Sequence, residues 1–134
     1  MEKQFLTKII DGTLVENGAT FDLHTGNPVV PFNAWYYPKY PRVTKIVSIS
    51  HLRTALEAFI ECNKNLLEEE NSYLGTWLNP ETKKIYVDIT IRRDSLEEAL
   101  TDARKISNEQ GRKIVTVYNP LLKKVEYVWK DVRS

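Results

Sequence analysis

The chain has 134 residues, 42% hydrophobic and 28% charged, with a net charge of +1, which suits one folded domain and excludes a global electrostatic case for nucleic acid or anionic membrane. Its single cysteine, Cys62, cannot form an intrachain disulfide, which favours a reducing compartment. Charges at Glu2, Lys3 and Lys8 fall where a signal peptide needs an apolar run, and nowhere do about 18 apolar residues follow one another, so a cytosolic protein without a membrane segment is expected.

Residues Gln4 to Ile10 read as a short β segment. Asp11-Gly12 and Asn17-Gly18 are turn signals bracketing Thr13-Leu14-Val15, the pattern of a hairpin. Ala19 to Leu23 alternates as a strand and stops at His24-Thr25-Gly26-Asn27-Pro28. Pro31, Pro38 and Pro41 make residues 31–42 an edge strand or an ordered loop, because proline cannot donate to a sheet ladder. Thr44 to Ile49 is the next strand.

Ser50 is placed to cap a helix on which Leu52, Ala55, Leu56, Phe59, Ile60, Asn63, Leu66 and Leu67 fall largely on one face. Glu68, Glu69 and Glu70 oppose the dipole at its end, so it should fray or stop by Asn71. Cys62 lies near the apolar stripe and reads as a buried small hydrophobe. Tyr73 to Asp88 is a complete hairpin turning at Asn79-Pro80. Asp94 with Glu97, or Ser95 with Glu98, forms a capping box for a second helix, whose stripe is Leu96, Ala99, Leu100, Ala103 and Ile106 and whose end is marked by Gly111. A second hairpin follows, from Lys113 to Tyr118, through Asn119-Pro120, and back along Lys124 to Trp129.

The two hairpins align at an offset of 40 residues: Thr76, Asn79, Pro80, Lys83 and Lys84 fall on Thr116, Asn119, Pro120, Lys123 and Lys124. Leu56, Ile60 and Leu66 fall on Leu96, Leu100 and Ile106 in the helices. Duplication and coincidence both predict an α+β fold, an antiparallel-rich sheet with two helices packed on one face as an α-β-β-α-β-β core, preceded by an N-terminal hairpin region. The expected organisation is one domain over 1–134, with a β-rich region 1–49 and the helix-hairpin core 50–134.

The most unusual composition is Trp35-Tyr36-Tyr37-Pro38-Lys39-Tyr40-Pro41-Arg42. Aromatics with proline suit a rigid protein-binding surface. Aromatics with cations also suit base stacking, with Lys39 and Arg42 reaching phosphates, and core or lid packing is the bland alternative. Trp35, Tyr36, Tyr37, Lys39, Tyr40 and Arg42 are therefore the binding candidates. Arg92 and Arg93, just before the second helix, are a candidate anion site. Asp22, His24 and His51 could form an acid-base pair if the fold joined them. No triad order, metal-ligand spacing or glycine-rich phosphate loop is present, so no catalytic residue, metal or cofactor is expected. Basic residues from Arg112 to Arg133 stand against the acidic tail of the first helix, a pattern of solvated surface that could also set dimer contacts.

Gly18-Ala19-Thr20-Phe21-Asp22-Leu23-His24-Thr25-Gly26, Tyr73 to Trp77, Glu81 to Asp88 and the Ile114 to Tyr118 strand resemble a widespread group of small proteins encoded by bacterial viruses and prophages, mostly of unassigned function. The resemblance implies a non-enzymatic accessory protein in the host cytoplasm, acting on a host protein in counter-defence. The alternatives are a nucleotide or nucleic-acid binder and a virion or assembly component.

Overall fold

The computed structural model describes residues 3–129. Twelve elements follow in chain order: α1 (Lys3–Glu16), β1 (Gly18–Asp22), β2 (Asn27–Pro28), β3 (Trp35–Pro38), β4 (Lys45–Val47), α2 (Leu52–Cys62), α3 (Lys64–Leu67), β5 (Tyr73–Leu78), β6 (Ile85–Arg93), α4 (Leu96–Gln110), β7 (Thr116–Asn119) and β8 (Lys124–Tyr127). All eight strands join one antiparallel sheet in the order β2-β1-β5-β6-β3-β7-β8, with β4 also on β6. The α+β expectation holds.

Cross-strand partners share a sheet face, so the register sorts the side chains. Leu74 is opposite Ile89, Thr76 opposite Val87, Leu78 opposite Ile85, and Tyr37 opposite Ile91. This face carries the helices. Leu6 and Ile9 of α1, and Leu52, Leu56 and Phe59 of α2, pack on Leu74, Ile85, Val87 and Ile89. Farther along the same face, Ala99 and Ala103 of α4 pack on Trp35, Tyr37, Val117 and Val128. The small alanines let α4 sit close to two large aromatic rings.

The N-terminal hairpin is replaced by α1. Leu6, Ile9 and Thr13, all buried, recur at helical spacing, and that stripe outweighs the turn signal at Asp11-Gly12. Gly12 lies where α1 passes β1, and a Cβ there would lie 3.4 Å from the Ala19 Cβ, at van der Waals contact. The helix stops at Asn17, whose φ of 64° is left-handed. Instead of two helices on the sheet there are three.

Residues 31–42 are neither an edge strand nor a loop throughout. β3 lies inside the sheet, between β6 and β7. Proline is tolerated because Pro38 is the last residue of β3, while the β7 pairing is confined to Tyr36 with Tyr118. Trp35 pairs with Arg93 and Lys45 with Val87, so β3 and β4 form one interrupted strand along β6. Between them the chain bulges through a 3-10 turn at Pro41–Val43.

Ser50 does not cap α2. It lies in a 3-10 turn, Ile49–His51, and the N-cap position is His51, with no side-chain capping bond. Cys62 is exposed, because it lies two residues beyond Ile60, off the buried stripe. At α4 the second of the two capping boxes forms: Ser95 Oγ accepts from Glu98 N, and Gly111 closes the helix at φ 70°. The two hairpin turns match in detail. Asn79 Oδ1 accepts from Glu81 N and Asn119 Oδ1 from Leu121 N, while Lys83 and Lys123 both take positive φ.

Candidate functional site

The buried stripes of the helices do not pack on the other sheet face. Along β6 it presents Tyr86, Asp88, Thr90 and Arg92, the residues alternating with Ile85 to Ile91. The neighbouring strands add Tyr36, Tyr73, Trp77, Tyr118 and Gly75. The β7–β8 hairpin meets β3 at a single bridge and swings away from the plane. Its tip reaches the far end of the sheet, where Lys123 Nζ lies 3.8 Å from Glu16 Oε2 and Tyr127 Oη 3.4 Å from Glu81 Oε1. The bare face is thereby curled into a cleft of about 680 Å³, lined by Gly18, Thr20, Trp77 and Tyr86, by Arg112 and Tyr118, and by Lys8, Asp11, Gly12 and Glu16 of α1.

Asp88 lies on the floor. Its side chain is almost wholly buried, and desolvation pushes its pKa up to about 6, a shift that the Thr44 hydrogen bond and the Arg112 charge only partly oppose. Thr44 Oγ1 donates to Asp88 Oδ1. Oδ2 makes no hydrogen bond to any described residue, and no side-chain polar atom among them is both sealed from solvent and unpaired. Oδ2 therefore reaches the cleft. Arg112 Nη1 donates to the Thr44 carbonyl at 2.8 Å, and no carboxylate lies within ion-pair distance of Arg112 among the described residues.

A glycine makes room for Thr90. Gly75 is directly opposite Asp88, and a Cβ there would come within 2.1 Å of Thr90 Oγ1. The walls are aromatic. Trp77 and Tyr86 are a cross-strand pair with ring centroids 5.4 Å apart, both half-buried, so each offers ring surface to the cleft. Burial, and secondarily the charge of Glu16, raises the pKa of Tyr118, which keeps its phenol protonated as a donor.

The binding candidates of residues 35–42 are scattered and largely covered. Trp35 and Tyr37 are buried under α4. Tyr37 Oη donates to Asp102 Oδ2. Tyr36 is buried on the opposite face, where its hydroxyl accepts from Arg92 Nη1 at 2.9 Å, and of the six it and Tyr37 border the cleft. Lys39 Nζ and Tyr40 Oη both donate to Glu69 Oε1, at 2.9 and 2.7 Å. Arg42 anchors its backbone N–H on Gln110 Oε1. The segment is a structural strand and bulge, not a presented loop.

Arg92 and Arg93 are adjacent and face opposite ways. Arg93 Nη2 lies 3.7 Å from Asp102 Oδ2 on the helix side. Arg92 sits on the bare side among the rings of Phe32, Tyr73 and Tyr36, at 4.7, 5.6 and 5.9 Å. The α4 terminus that follows them is already capped by Ser95 and flanked by Glu97 and Glu98. Asp22 Oδ1 is used by its own turn, accepting from His24 N, and His51 Nδ1 lies 2.8 Å from Ser48 Oγ. No described group of His, Cys, Asp and Glu could hold a metal ion, and no described helix is long and apolar enough to cross a membrane.

Sequence reasoning missed Asp88 and Arg112. Aspartate is depleted in strands, so its place in the middle of β6 was the available signal. Its burial follows only from the curl of the sheet. No protein-family model, curated protein or solved structure matches the chain.

Proposed function

We propose that this chain is a non-catalytic binding protein whose ligand is a small planar molecule, of the nucleotide class, held in the cleft on the sheet face opposite the hydrophobic core. The observation that carries the reading is a buried carboxyl with one oxygen turned into a cleft walled by Trp77, Tyr86 and Tyr118. Keeping that carboxylate in such surroundings costs stability, which is the signature of a group retained for binding or chemistry. The cleft volume falls within the roughly 300–1,000 Å³ of small-molecule sites. Half-buried rings supply stacking surface, worth about 1–3 kcal/mol per base. Among the described residues no histidine or second carboxylate hydrogen-bonds to Asp88, so the reading is binding and not acid-base turnover.

The accessory role implied by the likeness to phage-encoded proteins is carried, in this reading, by the cleft and not by residues 31–42. Titration of the purified chain with nucleoside monophosphates, followed by tryptophan fluorescence and calorimetry, tests it. Saturable binding that quenches the emission and is lost in Trp77→Ala, with the far-ultraviolet spectrum preserved, is the expected result. Absence of binding to the unaltered chain, or binding indifferent to Trp77→Ala, would overturn it.

A further inference from the structure

Resting on that reading, we propose that the cleft selects a guanine-type base, with Asp88 receiving two adjacent N–H donors and Arg112 facing the anionic end of the ligand. Asp88 Oδ2 has no partner among the described residues, and Oδ1 has one lone pair engaged by Thr44. An ionised carboxylate only accepts, with about four lone-pair directions over its two oxygens. It therefore fits an edge that presents donors side by side. Guanine has such an edge in its ring N1–H and exocyclic amino group. Adenine sets an amino donor beside a bare ring nitrogen, and cytosine does the same, so each would press a lone pair against the carboxylate. A uracil edge offers one donor between two carbonyls.

A guanidinium or amidinium cation also carries paired donors, and the surroundings decide against it. Arg112 stands close enough to Asp88 to lower its proton affinity, and its own carboxylate partner is missing among the described residues. A cationic ligand at Asp88 would meet that charge, whereas a phosphate would be drawn to it. Among the other charged residues lining the cleft, Lys123 pairs with Glu16 at 3.8 Å, and Lys8 and Asp11 come from α1. Lys113 rests its Nζ 4.9 Å from the Trp129 ring centroid, so Arg112 is the cation whose charge is felt at Asp88. Thr44 ties the two halves together, donating its hydroxyl to Asp88 while its carbonyl accepts from Arg112. Gly75, opposite Asp88, makes room for the Thr90 side chain, so the floor beside the carboxylate carries a hydroxyl and a methyl against which a ring edge would rest.

Calorimetry on the full chain at pH 8 supplies the test, using guanosine, inosine and adenosine monophosphates and argininamide. Guanosine monophosphate should bind tightest. Inosine monophosphate lacks only the amino group, and losing one hydrogen bond to a charged acceptor should weaken it about tenfold or more. Adenosine monophosphate should be weaker still, and Asp88→Asn should lower guanosine affinity by at least tenfold while leaving adenosine affinity unreduced. Equal binding of the three nucleotides would overturn the guanine assignment and leave the planar-ligand reading standing. Argininamide binding more tightly than any nucleotide would overturn the assignment in favour of a cation site. Failure of every nucleotide to bind would remove both. The inosine comparison needs no variant, so the test stays decisive even if Asp88→Asn folds poorly.

Discussion

One strand, β6, carries both characters of this molecule. Ile85, Val87 and Ile89 are fully buried beneath α1 and α2, and the residues between them, Tyr86, Asp88 and Thr90, look into an uncovered cleft. Both rows are held by the same ladder and are equally precise in position, yet only one is built for stability. The apolar row gains from burial. The polar row contains a carboxyl whose ionisation burial opposes. That asymmetry is what separates a scaffold face from a site, and it can be broken or sharpened one residue at a time.

The largest effect belongs to the covered row. Ile89→Ala removes a side chain with no exposed surface, packed between the sheet and the helices, and should destabilise the chain by about 3 kcal/mol in urea unfolding at constant m. A loss below about 1 kcal/mol would mean that the helices do not form one core on that face. Asp88→Asn should act in the opposite sense. In the folded chain the carboxyl has a pKa of about 6, above its value in the unfolded chain. The folded state then holds the proton more tightly, so the stability contributed by Asp88 is complete below about pH 4 and is lost as pH rises through 6. Asparagine can still accept from Thr44 and never ionises. The variant should match the natural chain at pH 4 and exceed it by about 3 kcal/mol at pH 7.5, an order-of-magnitude figure set by the distance between the two pKa values. A difference that stays flat with pH would show that Asp88 is not held in a desolvated place.

These two rows were unequally legible. The hairpin from Tyr73 to Asp88, the Asn-Pro turns and the Ser95 to Gly111 helix are local signals, and each became the element it signalled, although β6 runs on past Asp88 to Arg93. β3 was obscured because proline argues against an interior strand, and only the pairing partners show that Pro38 stands where the ladder to β7 has already ended. In α1, Gly12 mimics turn punctuation inside the helix, and Asn17, at positive φ, marks the helix end and not a hairpin turn. The site was less legible still. Asp88 in a strand looks like any outward polar residue, and what makes it unusual is made by Thr44, Arg112 and the swung hairpin, all distant in sequence. Conversely the stretch 35–42 stood out by composition, and its aromatics are spent on the α4 core and the Glu69 cluster. Composition locates large side chains without saying which face they fill.

The smallest effect expected is on the bare row itself, and it bears on whether that row has any structural purpose. Tyr86 is directly opposite Trp77 and touches it ring to ring, but it is half-buried and its hydroxyl bonds to no described side chain. Tyr86→Thr keeps strand propensity and removes only the ring pair, so it should cost about 1 kcal/mol, the worth of one aromatic contact at a partly exposed position. The same substitution takes away one of the three rings proposed to wall the ligand, so affinity for a planar ligand should fall about fivefold or more, since stacking on one ring is worth about 1–3 kcal/mol. The ratio of the two effects is the informative quantity. A residue that belongs to the scaffold loses stability and binding together, as Ile89→Ala would through partial unfolding. For Tyr86 the binding loss should outrun the stability loss. A cost near 3 kcal/mol with affinity intact would move the ring into the core and leave Trp77 as the cleft's stacking surface on that side.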